Sequence, residues 1–188
     1  QTAIGTVTAT DAEGDVVSFT VSGTELAISS AGVLTFVSAP DYETKTTYTA
    51  TVTASDGVNT KTQDITVNVT NVNDNSPSFT SSATFTAPEN QTAIGTVTAT
   101  DADGDDVTFT VSGTELAITS AGVLTFASAP DYEIKTSYTA TVTASDGVNS
   151  TTQDITINVT NVNDVAPEFT SEATFSAAEN QTAIGTVT

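Results

Sequence analysis

Oxygen-bearing side chains gather at fixed points of this 188-residue chain. The densest run is Asn71-Val72-Asn73-Asp74-Asn75-Ser76-Pro77-Ser78-Phe79, and a second copy runs from Asn161 to Phe169. Shorter acidic groups stand elsewhere: Glu89 before Asn90, Asp101 and Asp103 around Ala102, Asp131 and Glu133 around Tyr132, and Asp146 before Gly147. Carboxylates, amide oxygens and no basic side chain make a setting for a hard cation. Calcium takes about six to eight oxygen ligands of these kinds. Pro77 stiffens the first run, because its ring fixes φ and restricts the residue before it. Both runs read as metal-clamped joints between rigid modules. An Asp-Gly pair alone would more commonly be a turn cap; it is the assembled set that points to calcium. Asp101-Ala102-Asp103-Gly104-Asp105 is not an EF-hand loop, because its Gly comes two places early and residue 112 is Ser rather than Glu.

The same composition argues against catalysis. The chain has no histidine and no cysteine, so the common general bases, Ser-His pairs and thiol chemistry are missing. Paired carboxylates for glycoside hydrolysis would flank a cleft rather than spread across a joint. No enzyme is expected. Net charge is −20, with Lys45, Lys61 and Lys135 the only basic side chains. Phosphate binding needs clustered Lys or Arg, so nucleic acid is excluded as a partner, and an anionic membrane surface is disfavoured. No apolar run approaches the roughly 20 residues that span a bilayer. Uncompensated acid on this scale must be repelled apart, screened or neutralised by cations. Without disulfides, a metal is the natural staple for a small domain.

Gln1 to Thr8 returns at Gln91 to Thr98 and again at Gln181 to Thr188, a period of 90 residues with 16 differing positions between the two long copies. A repeat of that length is a whole domain, not a solenoid unit of about 20–50 residues. The expected division is 1–74, a repeat without its first strand; 75–164, a complete repeat; and 165–188, the first strands of a further one. Within each copy, Thr alternates strictly with apolar residues, as in Tyr48-Thr49-Ala50-Thr51-Val52-Thr53-Ala54. Period two with β-branched and aromatic residues means half-buried strands. In the complete copy these fall near 83–88, 94–100, 107–112, 116–119, 123–127, 137–145 and 153–162. Gly, Pro, Asn and Asp stand between them. The fold expected is all-β: tandem seven-stranded Greek-key, immunoglobulin-like sandwiches joined end to end. Asp101, Asp103 and Asp146 then follow strands running to one pole, while Glu89, Asp131 and Glu133 belong to the other. The connector Asn73-Asp74-Asn75 lies between facing poles.

This ordered set of motifs resembles the cadherin repeat over essentially the entire chain. The matching segments are Pro88-Glu89-Asn90, Ala99-Thr100-Asp101-Ala102-Asp103, Pro130-Asp131-Tyr132-Glu133, Ala144-Ser145-Asp146-Gly147 and Asn71 to Phe79. The resemblance implies calcium ions held between successive repeats. For the middle joint it implies Asp41, Glu43, Asn73, Asp74, Asn75, Asp101, Asp103 and Asp146 as ligands, with the carbonyl of Val72. For the next joint it implies Glu89, Asp131, Glu133, Asn163 and Asp164. Asp11, Glu13 and Asp56 would serve a joint before Gln1. Departures from the family pattern are Asn71 and Asn161 in place of the connector's first acid, Pro40 and Pro130 in place of Leu, and Glu13 in place of Asp. Val165 stands in place of the second connector Asn, and Ala178 in place of Pro. With no tryptophan, adhesion by exchanged tryptophans is not supported. Low complexity, acidity and the lack of arginine resemble a bacterial or archaeal surface array.

The function expected is a calcium-rigidified extracellular segment, serving as stalk, spacer or filament body of a long repetitive surface protein. Its partners would be adjacent repeats of the same protein, and identical chains in a fibre or homophilic contact. The alternative is a module that binds carbohydrate or ice through Thr-rich strand faces. At its ends the chain is expected to be completed by neighbouring repeats, either covalently in a continuous fibre or by strand addition between separate chains. An open sheet edge would mark the first repeat, and exposed Phe169, Phe175, Ile184 and Val187 the tail.

Overall fold

The alternation of Thr with Val, Ile, Phe and Tyr becomes an all-β chain in a computed structural model that describes residues 3–186, with no helix among them. The first repeat holds β1 (Ala3–Thr6), β2 (Ser18–Val21), β3 (Leu26–Ile28), β4 (Val33–Phe36), β5 (Thr47–Ser55) and β6 (Thr60–Asn68). The second holds β7 (Ser78–Phe79), β8 (Thr84–Pro88), β9 (Ala93–Thr96), β10 (Ala99–Thr100) and β11 (Thr108–Val111). It continues with β12 (Leu116–Ile118), β13 (Val123–Phe126), β14 (Ser137–Ser145) and β15 (Ser150–Thr160). Two sheets make the second sandwich, ordered β11-β14-β15-β8 and β12-β13-β9, with the small pair β10-β7 beside them. The first repeat repeats the pattern as β2-β5-β6 and β1-β4-β3. Each is a Greek-key sandwich.

Two details differ from the strands expected. The stretch 94–100 is two strands, because the chain changes sheets at Val97: β9 pairs with β13, and β10 pairs with β7. The side chain of Val97 is fully buried at this crossing. The inward positions are Ile94, Val97 and Ala99, so the alternation skips a residue where the chain leaves β9 and resumes as the hydrogen-bond partner changes. The last strand begins at Ser150, not 153, and ends at Thr160. Asp146 Oδ1 accepts from the backbone N–H groups of Val148 and Asn149, closing a tight turn that lets β14 and β15 pair from Ser145↔Ser150 onward. At the far end, the N–H of Val162 is taken by Glu89 rather than by a ladder.

The second core is the deeper one. Val97, Leu124, Val142, Ile155 and Ile157 are all at most 1% exposed. β8 lies parallel to β15 and covers its edge, while Phe79 packs near Phe109 at 6.4 Å between ring centroids. In the first repeat β6 has β5 as its one neighbour among the described residues, and Val7, Phe19 and Ile65 are only half-buried. Beyond Thr160 the described residues contain no strand. The strands expected within 165–188 do not form among the described residues, because β13 and β15, the partners of β9 and β8, have no counterpart there. Phe169 and Ile184 are 82% and 67% exposed, and Val187 lies outside the described residues.

Gly122 shows how tightly the sheets cross. Its φ is +85°, and an added Cβ would stand 2.1 Å from the carbonyl oxygen of Val97, whose N–H donates to the carbonyl of Gly122. Gly113 has φ +79° but open space around it. Gly122→Ala is therefore expected to destabilise the second repeat by about 3 kcal/mol, combining left-handed strain with a backbone clash, and Gly113→Ala by about 1 kcal/mol. Chemical denaturation of both variants checks this, and equal losses would contradict it.

Candidate metal centre

The connector leaves β6 as an irregular run and is anchored on the second repeat by Pro77, which is fully buried. Three Asn side chains tie it down. Asn71 Nδ2 donates to the carbonyl oxygen of Asp103 at 2.8 Å. The backbone N–H of Asn75 donates to Asp103 Oδ2 at 2.9 Å, and its side-chain amide to Asp103 Oδ1 at 3.0 Å. Asn149 Nδ2 reaches Asn73 Oδ1 at 2.7 Å.

Asp103 is the hub. One carboxylate oxygen from each of Glu43, Asp74 and Asp103 lies within 4.8 Å of the others. These three come from a turn of the first repeat, the connector and the second repeat. Asp101, Asp103 and Asp105 form a second group within the same limit. Gly104, at φ +85°, turns the loop so that Asp105 comes back beside the first two. Asp101 Oδ1 accepts from the N–H of Asp103 at 2.9 Å, while its Oδ2 is buried with no hydrogen-bond partner.

Among the described residues no ion pair with a lysine compensates this charge. Lys45 is held by Glu25 at 2.6 Å over the ring of Tyr48, and Lys135 by Glu115 over Tyr138. The consequences appear in the carboxyl groups. Desolvation, with the nearby Asp103, pushes the pKa of Glu43 up. Desolvation also raises Asp105, reinforced by the charges of Asp101, Asp103 and Asp146. Asp103 is desolvated too, but hydrogen bonds, led by the two from Asn75 and joined by Glu43 and the N–H of Asp74, hold its pKa below the usual value. Asp146 behaves likewise, desolvation being outweighed by the N–H groups of Asn149 and Val148.

Other expected ligands are placed differently. Asp41 stands outside the Glu43 group, its oxygens accepting from the hydroxyl and N–H of Thr44, which lower its pKa. Asp146 and Asp56 hold their turns, and the pKa of Asp56 is lowered by the N–H groups of Asn59 and Val58. Asp11 and Glu13 do come together, joined by Asp15, but without Asp56. At the opposite pole of the second repeat, Glu89, Glu133 and Asp164 gather within 4.8 Å. Glu89, only 3% exposed, accepts from the N–H groups of Tyr132 at 2.6 Å and Val162 at 2.7 Å. Asn90 donates to Asp164, and Asn161 to Glu133 at 3.0 Å. Asp131 is spent on the N–H of Ile134, and Asn163 is exposed in the connector. Asp15 and Asp105 were not among the expected ligands. Their signal was the Asp-x-acid-Gly-Asp spacing, in which the glycine allows the return.

Mouse protocadherin Fat 4 is 33% identical over 193 residues, covering 89% of this chain, and human protocadherin-11 X-linked is 38% identical over 154 residues, covering 73%. The structure superposes on that of mouse cadherin-23 EC22–24 with a TM-score of 0.74 and 27% identity, over 100% of this chain and 68% of that one. The chain is built of cadherin-like domains. The protocadherin gammaB4 extracellular domain agrees, with a TM-score of 0.68 and 25% identity over 86% of this chain and 30% of that one. Cadherin-like domains of this kind are extracellular, and the chain belongs at the cell surface with them. No protein-family model matches the sequence. The chain spans 4% of the length of protocadherin Fat 4 and 11% of protocadherin-11 X-linked. The bacterial or archaeal source suggested by composition has no support among these relatives. No helix among the described residues is long and apolar enough to cross a membrane.

Proposed function

We propose that this chain is a calcium-rigidified segment of a longer surface protein, serving as stalk, spacer or filament body. Its modules would divide at 74/75 and 164/165. The observation that carries the reading is the sharing of Asp103 between two carboxylate groups that together join both repeats and the connector. Oxygens within 4.8 Å of one another suit a cation whose ligand distances are about 2.3–2.6 Å. The donor set is oxygen alone, and the unpartnered Oδ2 of Asp101 is an acceptor that a cation would satisfy. The residues present fit calcium.

Glu43, Asp74, Asp101, Asp103 and Asp105 would hold the ion or ions, with oxygens of Asn73 and Asn75. Asp41 and Asp146 would join by exchanging hydrogen bonds they already make. Glu89, Glu133 and Asp164 would form the corresponding half of the next joint, and Asp11, Glu13 and Asp15 that of the preceding one. When bound, calcium supplies positive charge that turns repulsion between carboxylates into a cross-link. The acids thereby have a structural role and no catalytic one. Partners would be adjacent repeats and identical chains packed alongside.

Calorimetric titration with calcium, and with magnesium as control, tests this. Saturable calcium binding stronger than that of magnesium is expected, because the clustered flexible carboxylates suit the larger ion. A titration with no binding of either ion would overturn the proposal.

A further inference from the structure

Asn149 ends the turn between β14 and β15 and is half-buried. Its backbone N–H donates to Asp146 Oδ1 at 2.6 Å, which fixes where the side chain starts. Its Nδ2 then donates twice to the connector, to Asn73 Oδ1 at 2.7 Å and to the carbonyl oxygen of Asn75 at 2.8 Å. A contact to Asp146 Oδ2 at 3.5 Å is too long to compete.

The first repeat supplies the comparison. Asn59 ends the equivalent turn, and Asp56 Oδ1 accepts from Val58 and Asn59 at 2.7 Å and 2.6 Å, as its counterpart does. There the amide of Asn59 donates to Asp56 Oδ2 at 3.1 Å. The same residue in the same turn has two uses, and the connector decides between them.

We propose that Asn149 is a positioning residue that docks the connector on the second repeat without metal and holds Asn73 and Asn75 ready for the cation. This rests on the calcium reading of the joint. Asn149 and Asp103 grip the connector as a complementary pair, the first donating to its oxygens and the second accepting from the N–H groups of Asn75. A neutral amide does this without repelling calcium, and without adding to the negative charge of a joint that already holds Glu43, Asp74 and Asp103. The ordering cost of the connector is then met before the ion arrives, which tightens binding.

The test compares Asn149→Ala with Asn59→Ala in the full chain. In chelator, Asn149→Ala is expected to speed hydrogen exchange of the Asn75 amide about tenfold, and with calcium to weaken binding about tenfold, the scale of two lost hydrogen bonds. Asn59→Ala should change neither. The amides of Val142 and Ile155 report the fold of the second repeat, and Asn149→Ser serves in place of the alanine variant if they lose protection. Unchanged exchange at Asn75 in chelator, or calcium bound as tightly as in the unsubstituted chain, would overturn the proposal. An unsubstituted chain that binds no calcium overturns the metal reading alone, and exchange in chelator still decides the docking role.

Discussion

Calcium is expected to raise the melting temperature of this chain by at least about 10 °C and to stiffen the joint between its repeats, and a chelator to reverse both. The charge balance sets the direction. Net charge is −20, and Glu43, Asp74, Asp101, Asp103 and Asp105 stand together with no basic side chain among them. An ion bound only by the folded chain adds about 2.7 kcal/mol when its free concentration is a hundredfold above Kd. For domains of about 90 residues, each kcal/mol moves the midpoint by about 4–8 °C. Stiffening follows because the ligands come from both repeats, so the ion removes motion that the connector alone permits. Melting curves and small-angle scattering profiles identical in calcium and in chelator would refute this.

The second large effect is a difference between two aspartates. Asp103→Ala is expected to weaken calcium binding roughly 100-fold, and Asp64→Ala less than about twofold. Asp103 belongs to both carboxylate groups of the joint and also accepts two hydrogen bonds from Asn75. Its loss removes a ligand twice and frees the connector. Asp64 lies on β6, where it accepts from the hydroxyl of Thr51 across the hairpin at 2.7 Å. It can act on the joint only through a field that salt screens. Calorimetry giving equal losses would mean that the acids act as general charge and that the site is elsewhere.

Strand positions were readable from the sequence because alternation reports which residues face inward. It does not report which strand is the hydrogen-bond neighbour, and so 94–100 read as one strand although Val97 carries the chain from one sheet to the other. Ser78–Phe79 pairs with Ala99–Thr100 over two residues, too short for any pattern to show. That acids gather at the joint is legible from residue type and motif order, and Glu43, Asp74, Asp101 and Asp103 do come together there. Spacing does not show where a carboxylate also has a nearer donor. Asp41 is taken by Thr44, Asp131 by Ile134 and Asp56 by its own turn, contacts that depend on loop conformation rather than spacing. The docking contact of Asn149 is not legible in the sequence, since the identical turn residue Asn59 donates to Asp56 instead. The burial of Glu89 beneath two backbone donors likewise depends on Tyr132 and Val162 meeting from distant parts of the chain.

A crystal grown with calcium, with an anomalous difference map calculated around the connector, tests the central claim most directly. The account predicts peaks about 2.3–2.6 Å from oxygens of Asp101 and Asp103, with Glu43 or Asp74 completing the same coordination spheres. A map with no peak between the repeats, from crystals in which calcium is found elsewhere on the surface, would contradict it.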